Sequence, residues 1–144
     1  MNFLLDTNIL LHYIRRDAVA QQIDEMFRPF LPSNRVIVSI GEIKSIARQS
    51  SWEQKKMILL ERLLETIFRA DLTLDIVERY AEIDAYSQGK SSTHSLGITA
   101  RNMGKNDLWI AATASVLNIK LLTTDSDFNH LAGVYLDLEK ISLV

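Results

Sequence analysis

The chain has 144 residues, 47% of them hydrophobic, which is enough for one domain with a sizeable core. Cysteine is absent, which excludes disulfides, thiolate metal sites and cysteine nucleophiles and fits a reducing compartment. The net charge of −2 gives no overall attraction for nucleic acid, so binding of that kind depends on local basic residues.

The amino-terminal segment lacks the features of an export signal. Asp6 interrupts its apolar run, and Arg15 and Arg16 follow the run instead of preceding it. No stretch of the chain approaches the roughly 20 apolar residues of a membrane-spanning helix. We therefore expect a soluble cytoplasmic protein with a single domain over residues 1–144.

The first half of the chain alternates between strand and helix patterns. The predicted elements are a strand at 3–5, helices at 8–16 and 18–27, a strand at 36–38 and helices at 40–48 and 52–69. A strand at 72–74 and a helix that contains Ile76 to Ile83 follow them. The helix at 52–69 is indicated by one continuous apolar stripe along its length.

The second half begins with an irregular connection. Residues 89–105 show little periodicity, and a connection of that length in a compact domain is more often functional or mobile than idle. The predicted elements after it are an alanine-rich helix from Asn106 or Asp107, a strand at 120–124, a short helix near 126–131 and a strand at 134–138. Strands that alternate with helices predict a parallel sheet with helices on both faces.

Acidic residues follow three of the predicted strands near the point where each strand ends. Asp6 comes directly after the first strand, and Asp125 directly follows the fourth. Glu42 lies four residues after Val38, in the first turn of the next helix. Open parallel sheets bind ligands beyond the carboxyl ends of their strands, so these acids are candidates for one site. Asp107 opens the helix before the fourth strand, and the same rule does not fix its position.

Each acid also has a purely structural interpretation. Asp6, Asp125 or Asp127 could cap a helix. Glu42 or Asp107 could complement the dipole at a helix amino terminus. Taken together, converging carboxylates repel one another and ionise at a cost unless a positive charge lies between them. The combined pattern therefore favours a cation site.

The available ligand atoms are mainly oxygens. With no cysteine and three dispersed histidines, a zinc site is not expected. Carboxylates and water select Mg²⁺ or Mn²⁺. Such ions at a sheet edge suit phosphodiester hydrolysis. Asn8, Ser39 and Thr124 lie beside the acids in the sequence, and we expect them to hydrogen-bond the acids or their waters.

Other catalytic patterns fit the sequence poorly. Neither a glycine-rich phosphate loop nor a GxSxG motif is present. A phosphoaspartyl-transfer enzyme stays open as an alternative, with Asp6 as the nucleophile. Asn8, however, stands where enzymes of that kind usually carry a second acid.

Four motifs carry a family resemblance: LLDTNILL at 4–11, SIGEI at 39–43, NDLWIAATA at 106–114 and LLTTDSDF at 121–128. They resemble the PIN domain, most closely the VapC-type toxin ribonucleases. The resemblance implies a metal-dependent endoribonuclease with a three-layer α/β/α fold around a central, mainly parallel sheet. It also implies a homodimer, an RNA substrate and a cognate antitoxin. The alternatives are a catalytically weak PIN-like module that binds protein or RNA, and a magnesium-dependent phosphatase.

The resemblance also implies roles for particular residues. The family's acids, which would hold one or two Mg²⁺ or Mn²⁺ ions and direct hydroxide in line at an RNA phosphate, match Asp6, Glu42, Asp107 and Asp125. Asp127 is expected beside these acids, as a cap of the short helix that contains a buried Phe128. From their place in the chain just before Asp107, and not from the resemblance, we also expect Arg101 and Lys105 to contact the RNA backbone.

Overall fold

The computed structural model describes residues 3–15, 21, 25, 35–37, 40–65 and 68–141. Its strands are β1 (Phe3–Leu5), β2 (Arg35–Ile37), β3 (Phe68–Arg69), β4 (Lys120–Thr123) and β5 (Leu138–Lys140). Its helices are α1 (Thr7–Arg15), α2 (Ile40–Gln49), α3 (Gln54–Glu65), α4 (Leu74–Ser87) and α5 (Lys105–Leu117), and a 3₁₀-helix covers Ser126–Leu131. None of these described helices combines the length and the apolar character that crossing a membrane requires.

The described strands form one parallel sheet in the order β3-β2-β1-β4-β5. Leu4 in the central strand pairs with Val36 of β2 on one side and with Leu121 of β4 on the other. From β1 the chain proceeds outward through β2 to β3, and it then adds β4 and β5 on the opposite side. Crossovers between parallel strands are right-handed, so the helices of the two halves cover opposite faces of the sheet. The predicted α/β/α architecture is confirmed.

Helix α5 packs on α4 and supplies much of the core between this pair and the sheet. Ala111, Ala112 and Ala114 are buried, and their small side chains allow the backbone of α5 to approach its neighbours closely. The helix ends at Asn118, whose φ of 52° lies in the left-handed region that asparagine tolerates well. The next residues enter β4, so the position of this cap fixes where the strand begins.

The prediction of a third strand at 72–74 was wrong. The third strand is Phe68–Arg69, directly after α3, which ends at Glu65 instead of continuing to Arg69. Leu72 and Leu74 are 64% and 83% exposed, so they are not the buried apolar pair that the sequence pattern indicated. Thr73 between them caps α4, because its side chain accepts a hydrogen bond from the backbone N–H of Ile76 at 3.3 Å.

The last strand also lies later than predicted. Residues 134–138 begin with a turn in which Gly133 takes a φ of 75° and donates its N–H to the Leu136 carbonyl at 2.9 Å. Val134 is 42% exposed in this turn, and β5 begins only at Leu138. The segment 134–138, which was predicted to be a strand, therefore belongs partly to a turn.

The remaining element predictions are confirmed wherever the structure describes them. The connection between α4 and α5 is irregular over residues 88–104. Helix α1 begins at Thr7 and α5 at Lys105, each within one or two residues of the predicted start. Of the helix predicted at 18–27, only Gln21 and Glu25 belong to the described residues, and both are helical. Its other positions lie outside the described part of the chain, as does Val38.

Candidate functional site

The carboxyl ends of β1 and β4 form the centre of the candidate site. These two strands are neighbours, and the strand order reverses between them, which is where open α/β sheets form ligand-binding crevices. Asp6 directly follows β1, and Asp125 follows β4 after one residue. Asp107 lies in the first turn of α5. A helix that connects two parallel strands runs antiparallel to them. Helix α5 therefore starts at this same edge of the sheet.

Three carboxylates converge at this edge. Asp107, Asp125 and Asp127 each offer a carboxylate oxygen, and these oxygens all lie within 4.8 Å of one another. Asp107 and Asp125 are half-buried, whereas Asp127 is exposed. This donor set consists only of anionic oxygens, which suits a hard divalent cation such as Mg²⁺ or Mn²⁺ and does not suit a soft one.

Asp6 is joined to this acid cluster through the hydroxyl group of Thr123. The Thr123 hydroxyl donates to Asp6 Oδ2 at 2.7 Å and accepts the backbone N–H of Asp125 at 3.0 Å. The other oxygen of Asp6 accepts the N–H of Thr7 at 2.7 Å. Asp6 and Thr123 are both buried, so the carboxylate is held in one orientation at the end of β1.

The structure gives Thr123 a contact that the sequence did not indicate. The motif LLTTD contains two adjacent threonines, and Thr124 was the predicted partner of the acids because it is next to Asp125. Neighbouring residues of a strand point to opposite faces, so only the actual pairing of β4 with β1 decides which hydroxyl reaches Asp6. That residue is Thr123. The sequence pattern alone does not show on which face of the sheet its side chain lies.

We expect Thr123→Val to lower the free energy of unfolding by about 1–3 kcal/mol, because it removes the hydroxyl that serves both Asp6 and Asp125 in a buried place. Thr124→Val is the matched control and is expected to stay within about 0.5 kcal/mol of wild type. Urea denaturation of both variants measures the difference. Equal effects at the two positions would contradict the role given to Thr123.

The 3₁₀-helix that follows β4 is capped by Asp125 and not, as predicted, by Asp127. Asp125 has an extended backbone, and its Oδ1 accepts the backbone N–H of Asp127 at 2.9 Å. A cap must stand just before the first helical residue, and Asp127 already lies within the first turn. The burial of Phe128 is confirmed, since its side chain is fully enclosed. Phe128 therefore anchors the helix whose first turn contains Asp127.

For the remaining predicted site residues, the structure gives the position in the fold and, where the side chain is described, its exposure. Asn8 is exposed in the first turn of α1, and Thr124 is half-buried at the end of β4. Arg101 and Lys105 are exposed, Lys105 as the first residue of α5. Glu42 lies in the first turn of α2, but its side chain is outside the described part of the structure, as is the whole of Ser39.

A second hydrogen-bonded group joins the 3₁₀-helix to the end of α4. His130, in the 3₁₀-helix, has its Nε2 2.7 Å from the hydroxyl of Ser87, which is completely buried at the end of α4. Burial lowers the pKa of His130, and the positive charge of Arg101 lowers it further, while Asp127 acts in the opposite direction. This pair could not be predicted from the sequence, because its members are distant along the chain.

We expect the protein to lose stability as the pH falls below about 6.5, the usual pKa of histidine in an unfolded chain. The lowered pKa means that the unfolded state binds the proton of His130 more readily than the native state does. His130→Gln keeps a donor of similar reach without this titration, so it should lose less stability between pH 7.5 and pH 5.5. Urea denaturation at the two pH values measures both losses, and equal losses would contradict the account.

Comparisons with known proteins agree with this architecture. A family model described as the PIN domain matches residues 3–134. A comparison with curated proteins gives no match. Among solved structures, VapBC2 from Rickettsia felis, bound to a DNA fragment from its promoter, has a TM-score of 0.72 and 22% identity, over 97% of this chain and 98% of that one.

Two other solved structures are similar to the same extent in sequence. VapBC-1 from nontypeable Haemophilus influenzae has a TM-score of 0.66 and 22% identity, with 97% of this chain and 98% of that chain covered. VapBC-5 from Mycobacterium tuberculosis, of the VapBC family of toxin-antitoxin systems, has a TM-score of 0.59 and 22% identity, with 99% and 98% covered. These likenesses concern the fold. Because the family model spans nearly the whole described chain, the protein belongs to the PIN domain family.

Proposed function

We propose that this PIN domain, over residues 1–144, is a metal-dependent endoribonuclease and the toxin of a type II toxin–antitoxin pair. The observation that carries the proposal is the convergence of Asp107, Asp125 and Asp127 within 4.8 Å at the sheet edge. Like charges at this distance repel one another, and a divalent cation bound between them would remove that repulsion. Its location at the reversal of strand order is where this class of sheet binds substrates.

In this proposal the acids Asp6, Glu42, Asp107 and Asp125, with Asp127 beside them, hold one or two Mg²⁺ or Mn²⁺ ions. When bound, a cation of this class favours the ionisation of water and stabilises negative charge on phosphate oxygens. The hydrogen bonds that Thr7 and Thr123 donate to Asp6 fix its carboxylate before substrate arrives. A site that is oriented in advance loses little free energy to reorganisation when the substrate binds.

The proposed substrate is RNA, which is held through its backbone. Arg101 and Lys105 are exposed and stand just before Asp107 in the chain. Cations at this position lie on the approach to the acid cluster and would offset its repulsion toward phosphate. The overall charge of the chain does not supply this attraction, so these two residues are the proposed contacts.

We also propose a homodimer and an antitoxin as protein partners. Solved structures of similar fold include toxin–antitoxin complexes, which supports a partner of that kind. Large apolar side chains at the start of α4 support a protein contact, since Leu72 and Leu74 are mostly exposed and Val77 is 39% exposed. Light scattering on the purified chain, alone and after co-expression with the product of an adjacent small gene, tests both partners.

We expect the metal-free Asp107→Asn variant to melt at a higher temperature than metal-free wild type. Removing one charge relieves repulsion from Asp125, worth about 1 kcal/mol or more at this separation. The variant loses a helix-dipole contact worth about 0.3–1 kcal/mol. Wild type should gain about 2.7 kcal/mol from Mg²⁺ at a hundred times its Kd, and the variant less. Thermal melts in EDTA and in Mg²⁺ measure this, and an undiminished gain would place Asp107 outside the cation site.

The chemistry of the products distinguishes this function from its alternatives. Attack of water on phosphorus with departure of the 3′-oxygen leaves a 5′-phosphate and a 3′-hydroxyl, and it does not need the 2′-hydroxyl of the RNA. An RNA with one 2′-deoxy sugar at the cleaved bond should therefore still be cut. A 2′,3′-cyclic phosphate product would overturn the proposal, and release of phosphate from small esters with RNA left intact would identify a phosphatase.

A further inference from the structure

A cavity of about 450 Å³ opens directly beside the acid cluster. Asp127 forms one side of it, and residues 98–103 of the connection between α4 and α5 form the rest. This volume lies within the range of pockets that enclose small organic groups. The cavity shares Asp127 with the acid cluster, so a group bound there lies next to whatever the acids hold.

The wall of this cavity combines apolar and hydrogen-bonding groups. Ile98 is 53% exposed, although it is a large aliphatic residue, and Met103, which lines the same cavity, is buried in the core. Thr99 and Asn102 are exposed and bring a hydroxyl and an amide to the same wall. A nucleobase has apolar faces and an edge of donors and acceptors, which is the pattern that this wall matches.

Ser87 holds this wall of the cavity in place by hydrogen bonds. The Ser87 carbonyl accepts the backbone N–H of Arg101 at 2.6 Å, and its hydroxyl donates to Met103 Sδ at 3.3 Å. The same hydroxyl lies 2.7 Å from Nε2 of His130, which belongs to the 3₁₀-helix that also contains Asp127. One buried serine therefore connects both sides of the cavity, so the cavity exists before a ligand enters.

Arg101 adds a cation to the rim of the cavity. Its backbone N–H is bonded to the Ser87 carbonyl, and Arg101 is one of the residues that line the cavity. A guanidinium group can pair with phosphate or stack on the face of an unpaired base. Both contacts would be made by a nucleotide that enters from the acid cluster.

We propose that this cavity binds one unpaired nucleobase adjacent to the RNA phosphate at the acid cluster. The proposal rests on the ribonuclease function proposed above, and it adds a contact with one base to the contacts with the phosphate. A base within a duplex is stacked and paired on both sides, so it cannot enter a cavity of this kind without being unstacked. Ile98 and Asn102 are then the residues that contact the base.

Fluorescence anisotropy tests the proposal by binding and without relying on cleavage. The probes are labelled oligoadenylate and oligouridylate of twelve nucleotides, an abasic ribose-phosphate chain of equal length, and the adenylate–uridylate duplex. They are titrated with the purified protein in Ca²⁺, and gels confirm that each probe stays intact. We expect the abasic chain and the duplex to bind about tenfold more weakly than the single strands, because each stacked base contributes substantially.

Ala100→Leu provides the decisive variant, because Ala100 is exposed on the cavity wall and a branched aliphatic side chain there would occupy the space without adding a ring on which bases stack. It should reduce the preference for bases over the abasic chain to about twofold or less. Ala81→Leu makes the same change at an exposed position of α4 outside the cavity and should keep the preference. Ile98→Ser, with Leu117→Ser as its control, tests the apolar contact by removal instead of blockage.

The outcomes separate this inference from the proposed function. Equal binding of the abasic chain and the single strands, in a protein that cleaves RNA with Mg²⁺, overturns the base-binding cavity and leaves the nuclease intact. Loss of the preference in both Ala100→Leu and Ala81→Leu also overturns it, since the effect would not belong to the cavity. A protein that neither binds nor cleaves RNA overturns both proposals.

Discussion

Asp125→Asn is expected to reduce the rate of RNA cleavage by several orders of magnitude, because it removes a negative charge from the group of acids that would hold the cation. Asparagine is as good a helix cap as aspartate, so the hydrogen bond from the Asp127 N–H should survive the change. The substitution therefore separates the charge of Asp125 from its structural role. Single-turnover cleavage rates, together with a melting curve for each protein, measure the two effects.

Asp137→Asn is the matched control for this prediction. Asp137 is an exposed acid that precedes β5, at the opposite edge of the sheet, and it pairs with Lys120 at 4.0 Å. It undergoes the same change in charge and should retain the wild-type rate. A loss of less than about tenfold in Asp125→Asn, or ~1.4 kcal/mol of transition-state stabilisation, would mean that Asp125 serves only as a cap.

Phe128→Ala is expected to lower the free energy of unfolding by about 3–5 kcal/mol, the usual cost of removing a fully buried aromatic ring. Phe128 is completely enclosed in the core, and it follows Asp127 directly in the chain. The cavity left behind should also loosen the 3₁₀-helix, so the affinity for Mg²⁺ should fall in the molecules that remain folded. Urea denaturation measures the first effect, and calorimetric titration with Mg²⁺ measures the second.

Val134→Ala is the control for this change, since Val134 is 42% exposed in the turn before β5. It should stay within about 0.5 kcal/mol of wild type. A loss below about 1 kcal/mol in Phe128→Ala would show that the ring is not an anchor of the helix. Unchanged Mg²⁺ affinity in a strongly destabilised variant would show that the helix does not position the acids.

The sequence predicted that Asp6 and Asp125 lie at one edge of the sheet, because strand ends and acids are both local features. Both acids follow predicted strands, and parallel strands bring such positions together. Asp107 could not be placed in this way, since it precedes its strand by a whole helix. Its position follows from the direction of α5, which is a property of the folded chain. The resemblance of NDLWIAATA to the family pattern supplied what the strand rule did not.

Features that depend on long-range contacts were missed. Leu72-Thr73-Leu74 has the composition of a strand, yet Thr73 caps a helix and both leucines are exposed, so local propensity was overridden by tertiary structure. The choice between Thr123 and Thr124 depended on the pairing of β4 with β1. Ser87 is far in sequence from the acids, and nothing in its local pattern indicates its contact with His130.

The most direct test of the central claim is the dependence of RNA cleavage on a divalent cation. A labelled stem-loop RNA is incubated with the purified wild-type protein in Mg²⁺, in Mn²⁺ and in excess EDTA, and products are resolved on a denaturing gel. The account predicts cleavage within the loop in Mg²⁺ or Mn²⁺, no cleavage in EDTA, and recovery when Mg²⁺ is restored. Cleavage that persists in excess EDTA would contradict a function based on the acids at this sheet edge.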